Sequence, residues 1–251
     1  MLRNEKVLLL YIALTASFAV VNVATAGDWD ITQQATIEKL TLTQTGTTSS
    51  NQAINAVVLD TATDSISAGN QTVVLTGNQT TLTQEGSSSN SVQALNYASA
   101  KDIVDLTQTV SGVQTLDMVI NAGTDNVQAL NYASASGNIL DLTQTVTGDD
   151  VNMVSNVRGN IQAINHAEAN SFSGDINQTT NLQTLSHHNI AVGRGNPKAC
   201  NNPGNNPNCI KEVRVNSITG NVNSATINQT IFATAVTKNG PGAIVLNYVG
   251  N

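Results

Sequence analysis

Asp105 and Asp141 hold the same place in a repeated phrase, Asp-Leu-Thr-Gln-Thr-Val, and stand 36 residues apart. Carboxylates brought into register on neighbouring coils are what a hydrolytic β-helix would use as acid and base. Strand alternation argues otherwise. Each aspartate is out of phase with the leucine and the glutamine that follow it, so both are expected on the solvent face. A weak calcium site between them is the sharper alternative, although the glycine-rich calcium nonapeptide is absent. GxSxG, HExxH and P-loop signatures are absent as well. The chain is therefore expected to be no enzyme and to carry no cofactor or metal.

The second candidate chemistry is that of thiols. Cys200 and Cys209 close the stretch CNNPGNNPNC. A metal or redox pair would want a tighter CxxC or histidines in register, and His187 and His188 are the nearest. One local disulfide is the expected use, worth about 2–3 kcal/mol for so short a loop. That needs an oxidising compartment, and the first residues supply the route to one. MLRNEKV is followed by an apolar LLLYIALTASFAVVNVA and by Ala24-Thr25-Ala26. This is the pattern of a secretory signal peptide, residues 1–26, cleaved after Ala26. A membrane anchor would want a basic flank, and Gly27-Asp28-Trp29-Asp30 follows instead. No later segment is apolar for long enough to cross a bilayer, so no membrane partner is expected after cleavage. The expected location is extracellular or at the cell surface. Four Asn-Gln-Thr triplets, at Asn70, Asn78, Asn177 and Asn228, are glycosylation sequons only in a host that modifies asparagine.

Only 11% of the residues are charged and 3% aromatic, with a net charge of −7. No basic patch with interleaved aromatics occurs, so nucleic acid is not an expected partner. Such a chain cannot build a large Leu/Phe core, yet its β-branched residues are too many and too evenly spread for a disordered segment.

What positions these groups is a repeat. VQALNYASA stands at 92–100 and again at 127–135; IQAINHAEA follows at 161–169, and related phrases lie at 51–59 and 243–251. The internal period is two, the period of a strand. Comparison between copies puts Val92, Ala94, Asn96, Ala98 and Ala100 on an interior face of small residues. Gln93, Leu95, Tyr97 and Ser99 then fall on a face that drifts to His166 and Glu168 and is expected to meet solvent. A second phrase, [Leu/Ile]-x-Gln, recurs with glutamines at Gln44, Gln84, Gln108, Gln144, Gln178 and Gln229. A buried amide is costly alone, but identical amides stacked about 4.8 Å apart can bond to one another. A glutamine ladder through those six and an asparagine ladder through Asn55, Asn96, Asn131, Asn165 and Asn247 are expected.

Clusters of Gly, Asn, Asp and Ser separate the phrases as turns. The reading is all-β: a single β-solenoid domain over 27–251, built from imperfect repeats of about 35 residues. The cysteine loop, at about 192–211, is an insertion that stretches the spacing from Gln178 to Gln229 to 51. Each unit holds about three strands, the third at 113–121, 151–159 and 182–190. Whether they form one three-sided coil or one and a half two-sided ones stays open, with the 24-residue step from Gln84 to Gln108 favouring two-sided geometry.

LTLTQTGTTSSNQAIN at 40–55 and LTQEGSSSNSVQALN at 82–96 resemble the curlin repeat of bacterial extracellular amyloid fibres. Leu40, Leu42, Gln44, Gly46, Asn51 and Ala53 match that pattern, as do Leu82, Gln84, Gly86 and Asn90; Ala94 falls two residues late. Later units place Val110 and Val146 where the pattern has glycine. The resemblance implies an exported fibre subunit of a biofilm matrix that stacks on copies of itself, with accessory proteins for secretion or nucleation. Subunit contacts are expected at the terminal strands, through Ile31, Ile37, Leu40 and Leu42 at one end and Ala243, Val245, Asn247 and Val249 at the other. The alternative is a solenoid adhesin or glycan-binding surface protein that uses the Tyr97, Tyr132 and His166 column and the cysteine loop.

Overall fold

The computed structural model describes residues 7–13, 19–22, 27–45, 49–86, 90–122, 125–155, 160–188, 212–239 and 243–250. Every element among them is a β-strand: β1 (Val7–Ala13), β2 (Ala19–Asn22), β3 (Asp28–Ile37), β4 (Leu40–Thr45), β5 (Asn51–Val58), β6 (Ser65–Leu75), β7 (Thr80–Gly86), β8 (Val92–Ala100), β9 (Ile103–Ala122), β10 (Val127–Ser155), β11 (Ile161–His188), β12 (Glu212–Asn239) and β13 (Ala243–Gly250). All pairings between them are parallel. Parallel strands need long connections, and here the connection is the rest of the coil.

Three strand segments make one coil, so the fold is a three-sided β-solenoid. The first side carries β3, β6, the start of β9 and the middles of β10, β11 and β12. The second carries β4, β7 and the ends of β9 to β12. The third carries β5, β8, the starts of β10, β11 and β12, and finally β13. The expectation of two-sided geometry is corrected by this layout. Gln84 lies on the second side and Gln108 on the first, so their spacing measures part of a coil. β1 and β2 lie against β3 and β5 at the amino-terminal end of the stack.

Register is strict because like residues stack. Val92, Gln93, Tyr97 and Ala100 pair with Val127, Gln128, Tyr132 and Ala135. The first side turns into the second at Gly112, whose φ of +74° suits glycine; a Cβ there would stand 2.2 Å from the Leu75 carbonyl oxygen. The second turns into the third through Ser49, Asn90 and Asp125, all with φ between 50° and 58°. Small polar residues reach that conformation at modest cost.

Inside, the apolar side chains form two columns. One contains Leu42, Leu82, Met118 and Met153; the other contains Ile66, Ile103, Ile139 and Phe172. A fully buried side chain of this size contributes about 1.5–3 kcal/mol, so these columns carry most of the fold's stability. The strict alternation expected for VQALNYASA fails at one point. Leu95 joins the first column and Ala98 the second, while Asn96 between them is also fully buried and faces inward. The pairing passes over Leu130 between Ala129 and Asn131, which marks a bend. Asn96, Ala98 and Ala100 are inside as expected, whereas Gln93 and Leu95 are also inside. Val92 and Ala94 pack instead with Tyr97 on the outer surface.

Successive asparagines are 35 and 34 residues apart in the middle coils, then 51 apart from Asn165 to Asn216. β11 and β12 nevertheless pair in register from Gln162 to His188. The 51-residue step therefore leaves the register unchanged on both sides of the connection from β11 to β12. Cys200 and Cys209 lie outside the described residues. Because the register is the same on both sides of this connection, replacing both cysteines with serine should leave the far-ultraviolet β signal unchanged. Loss of that signal would place the loop within the folded unit.

Candidate functional site

The structural feature with chemical reach is the set of buried amides. Gln33, Gln71, Gln108, Gln144, Gln178 and Gln229 form one ladder on the first side, each Nε2 donating to the Oε1 of the preceding coil at 2.7–2.8 Å. Asn55, Asn96, Asn131, Asn165, Asn216 and Asn247 form another on the third side. There each Nδ2 donates to the Oδ1 of the following coil at 2.9–3.1 Å. The two ladders therefore run in opposite directions.

Each NH2 group has a second hydrogen, and it goes across the coil. Gln71, Gln108, Gln144, Gln178 and Gln229 donate to the carbonyls of Tyr97, Tyr132, His166, Ser217 and Tyr248, each next to a ladder asparagine. Asn55, Asn96, Asn131, Asn165 and Asn216 donate to the carbonyls of Thr72, Thr109, Thr145, Thr179 and Thr230, each next to a ladder glutamine. The clamp is reciprocal. It draws the bend of the third side against the middle of the first and separates the two apolar columns.

Sequence reasoning found most of these residues and misassigned two. Gln44 and Gln84 are not in the six-membered glutamine ladder. They pair with each other at 2.8 Å on the second side, where the next residue in register is Ile120. Gln33 and Gln71 take their places. Gln33 carries the phrase as Ile31-Thr32-Gln33; Gln71 follows Gly69 and does not. Asn216 was missed because its phrase, Glu212-Val213-Arg214-Val215-Asn216, has lost the Gln-Ala pair. A third glutamine ladder, Gln52, Gln93, Gln128 and Gln162, bonds at 2.6–2.7 Å and reaches carbonyls of the second side. Strict alternation had placed Gln93 outside. Asn51 and Asn90, inward in the curlin pattern, are exposed here, and Ala53 joins the outer cluster.

The outer face of the third side also departs from expectation. Tyr97 stacks on Tyr132 with ring centroids 5.2 Å apart, and Tyr132 on His166 at 5.3 Å, all nearly parallel. The rings are only 6%, 3% and 0% exposed, because rings stacked at the strand spacing cover one another. Tyr132 and Ser134 donate hydrogen bonds to Oε1 of Glu168, and His166 Nε2 is 3.8 Å from Oε2. Burial raises the Glu168 pKa; the nearby imidazole and the two hydroxyl donors outweigh it and hold the carboxyl at about 2. Burial also raises the pKa of Tyr97 and Tyr132. The column breaks at Ser217 and resumes at Tyr248, where the Arg214 guanidinium lies 3.7 Å from the ring centroid. A shallow groove of about 550 Å³ opens beside Glu168, lined also by Ser134, Ser136, Asn170 and Thr219. Asp105 and Asp141 are in register; Asp141 accepts from the Asp175 amide, and no group of three metal-ligating side chains occurs among the described residues.

The terminal strands complete the site. Ile31, Ile37, Leu40 and Leu42 are buried core residues. At the other end Asn247 and Val249 continue the inward positions of Asn216 and Ile218, whereas Val245 pairs with Arg214 on the outer face. Val222, Val236 and Val249 are 41%, 43% and 47% exposed, although Phe172, Leu185 and Ile218, their partners one coil earlier, are at most 1% exposed. These are core positions that no coil covers among the described residues.

Replacing Asn131 with leucine would leave the Thr145 carbonyl and two neighbouring asparagines short of partners. At about 1–3 kcal/mol for each buried group left unmade, the variant should lose at least about 3 kcal/mol in urea unfolding. An unchanged midpoint would show that the clamp is not structural. Glu168 has a lower pKa folded than unfolded, so its contribution is complete above about 4.5 and is lost as pH falls toward 2. Melting temperature should fall through that window, and Glu168→Gln should flatten the fall; identical profiles would discount the Tyr132–Glu168–His166 cluster. Comparison with family models, with curated proteins and with solved structures finds no match for this chain.

Proposed function

We propose that the protein is an exported structural subunit that joins other copies end to end, by strand pairing, into extracellular fibres of a biofilm or surface matrix. The carrying observation is the exposed end of the stack. Val222, Val236 and Val249 stand in columns whose other members are buried, and they and Leu246 are 41–47% open to solvent. An edge of unpaired parallel strands is a template for another chain. Each added backbone hydrogen bond contributes only about 1 kcal/mol net, so a strand of seven or eight residues supplies several kcal/mol. Covering the open valines and leucine adds to it. The curlin-like phrases at 40–55 and 82–96 support the same reading and bring with it accessory proteins for secretion or nucleation.

The binding-module alternative drew on the tyrosine and histidine column and on the cysteine loop, which lies outside the described residues. With those rings buried, the polar groove beside Glu168 is its support among the described residues. Fibre assembly is the reading that uses more of the molecule.

Deleting residues 243–251 should leave most of the β signal but abolish elongation, seen by sedimentation and negative-stain microscopy. Val245→Pro should act likewise, by removing a backbone donor from the middle of β13. Fibres of normal length from either variant would rule out the terminal strands as the joint.

A further inference from the structure

We infer that the two opposed amide ladders dictate which end binds which: the carboxy-terminal end of one chain seats the amino-terminal end of a second copy. In that joint Gln229 accepts from Gln33 of the next copy, and Asn247 donates to its Asn55. The inference rests on the fibre reading and specifies its joint.

The argument is a count of open hydrogen-bonding groups at the last rungs. Gln229 uses Nε2 on Gln178 and on the Tyr248 carbonyl, while no described residue donates to its Oε1. Asn247 accepts from Asn216 and gives one hydrogen to the Gln229 carbonyl, which leaves its second hydrogen without an acceptor. The carboxy-terminal end thus offers an acceptor on the first side and a donor on the third. At the other end Gln33 accepts from Gln71 and gives one hydrogen to Ala56, which leaves a donor on the first side. Asn55 gives both hydrogens inward, to Asn96 and Thr72, and leaves its Oδ1 as an acceptor on the third side. When each side continues onto the same side of the next copy, donor meets acceptor on both only if unlike ends join. Unlike ends also continue the parallel pairing found throughout the sheet, whereas like ends related by a dyad would make the strands antiparallel. The apolar ends agree: Val236 continues the register of Leu185 and Val151, the column that Leu40 begins.

In the full chain β1 sets Leu10 opposite Gln33 and β2 sets Ala19 opposite Asn55. Neither residue can extend a ladder, so the joint forms only on chains that have lost residues 1–26.

Two substitutions test the polarity. Gln33→Glu keeps the acceptor used by Gln71 but replaces the whole NH2 group, the open donor together with the one given to Ala56, with an oxygen. Asn247→Asp does the same at the opposite end, keeping the acceptor used by Asn216 and losing the open donor together with the one given to the Gln229 carbonyl. They are made in the chain beginning at Gly27, the first residue after the expected cleavage site. Each variant alone should sediment as a folded monomer. An equimolar mixture should give one-to-one dimers and stop, because each variant contributes the end that the other lacks. Homodimers from a single variant, full-length fibres from either, or a mixture that stays monomeric would overturn the inference. Wild-type fibres beside a failed mixture would leave the fibre reading intact, and a wild-type chain that never leaves the monomer would remove both. If the charged variants do not fold, Gln33→Cys with Gln229→Cys, in a Cys200→Ser, Cys209→Ser background, gives a second route. Neighbouring strands lie about 4.8 Å apart, within disulfide reach. A reducible series of oligomers from the double variant is expected, and covalent dimers from either single variant would instead show like-end joining.

Discussion

A primary amide carries two hydrogens on one nitrogen, and burial obliges it to place both. That obligation organises this solenoid. One hydrogen runs along the stack to the same residue in the next coil, which forces neighbouring coils into register. The other crosses the coil to a main-chain carbonyl on the opposite wall, which fixes the shape of each coil. A leucine column could fill the same space but would specify neither direction. The cost appears where ladders stop: Oε1 of Gln84 and of Gln162 are buried without partners, facing Ile120 and Val213.

Much of this was legible before the fold was known. The strand class, the repeat and five of the six ladder asparagines follow from phrases that recur with a two-residue period. The errors share a physical origin. The clamp bends the third side between Leu95 and Asn96, so two consecutive residues face inward and alternation reverses there. Nothing in Val-Gln-Ala-Leu-Asn announces that reversal, since the force responsible comes from Gln71 and Gln108 on another strand. Gln44 and Gln84 were joined to the wrong ladder because the same Leu-x-Gln phrase serves two sides of the coil. A local pattern reports that a glutamine is inward, not which wall it stands on.

The corners divide the labour differently. Between the first and second sides the turn closes at Gly112, against the Leu75 carbonyl, with no room for an added carbon. Between the second and third sides left-handed Ser49, Asn90 and Asp125 lead the chain back, and the chain between adjoining strands varies in length. It runs from three residues between β12 and β13 to twenty-three between β11 and β12. The largest change in length falls between the second and third sides, and both ladders keep their register across it.

The opposed directions of the two long ladders have an electrical consequence. Aligned amide dipoles sum along an α-helix into partial charges at its ends. Here six glutamine dipoles point one way along the stack and six asparagine dipoles the other, held side by side by the clamp. Their axial components oppose in every coil, so the field from these side chains does not build with length. A coil added to a long stack meets much the same side-chain potential as one added to a short stack. Nothing in the two ladders sets a length at which growth becomes less favourable.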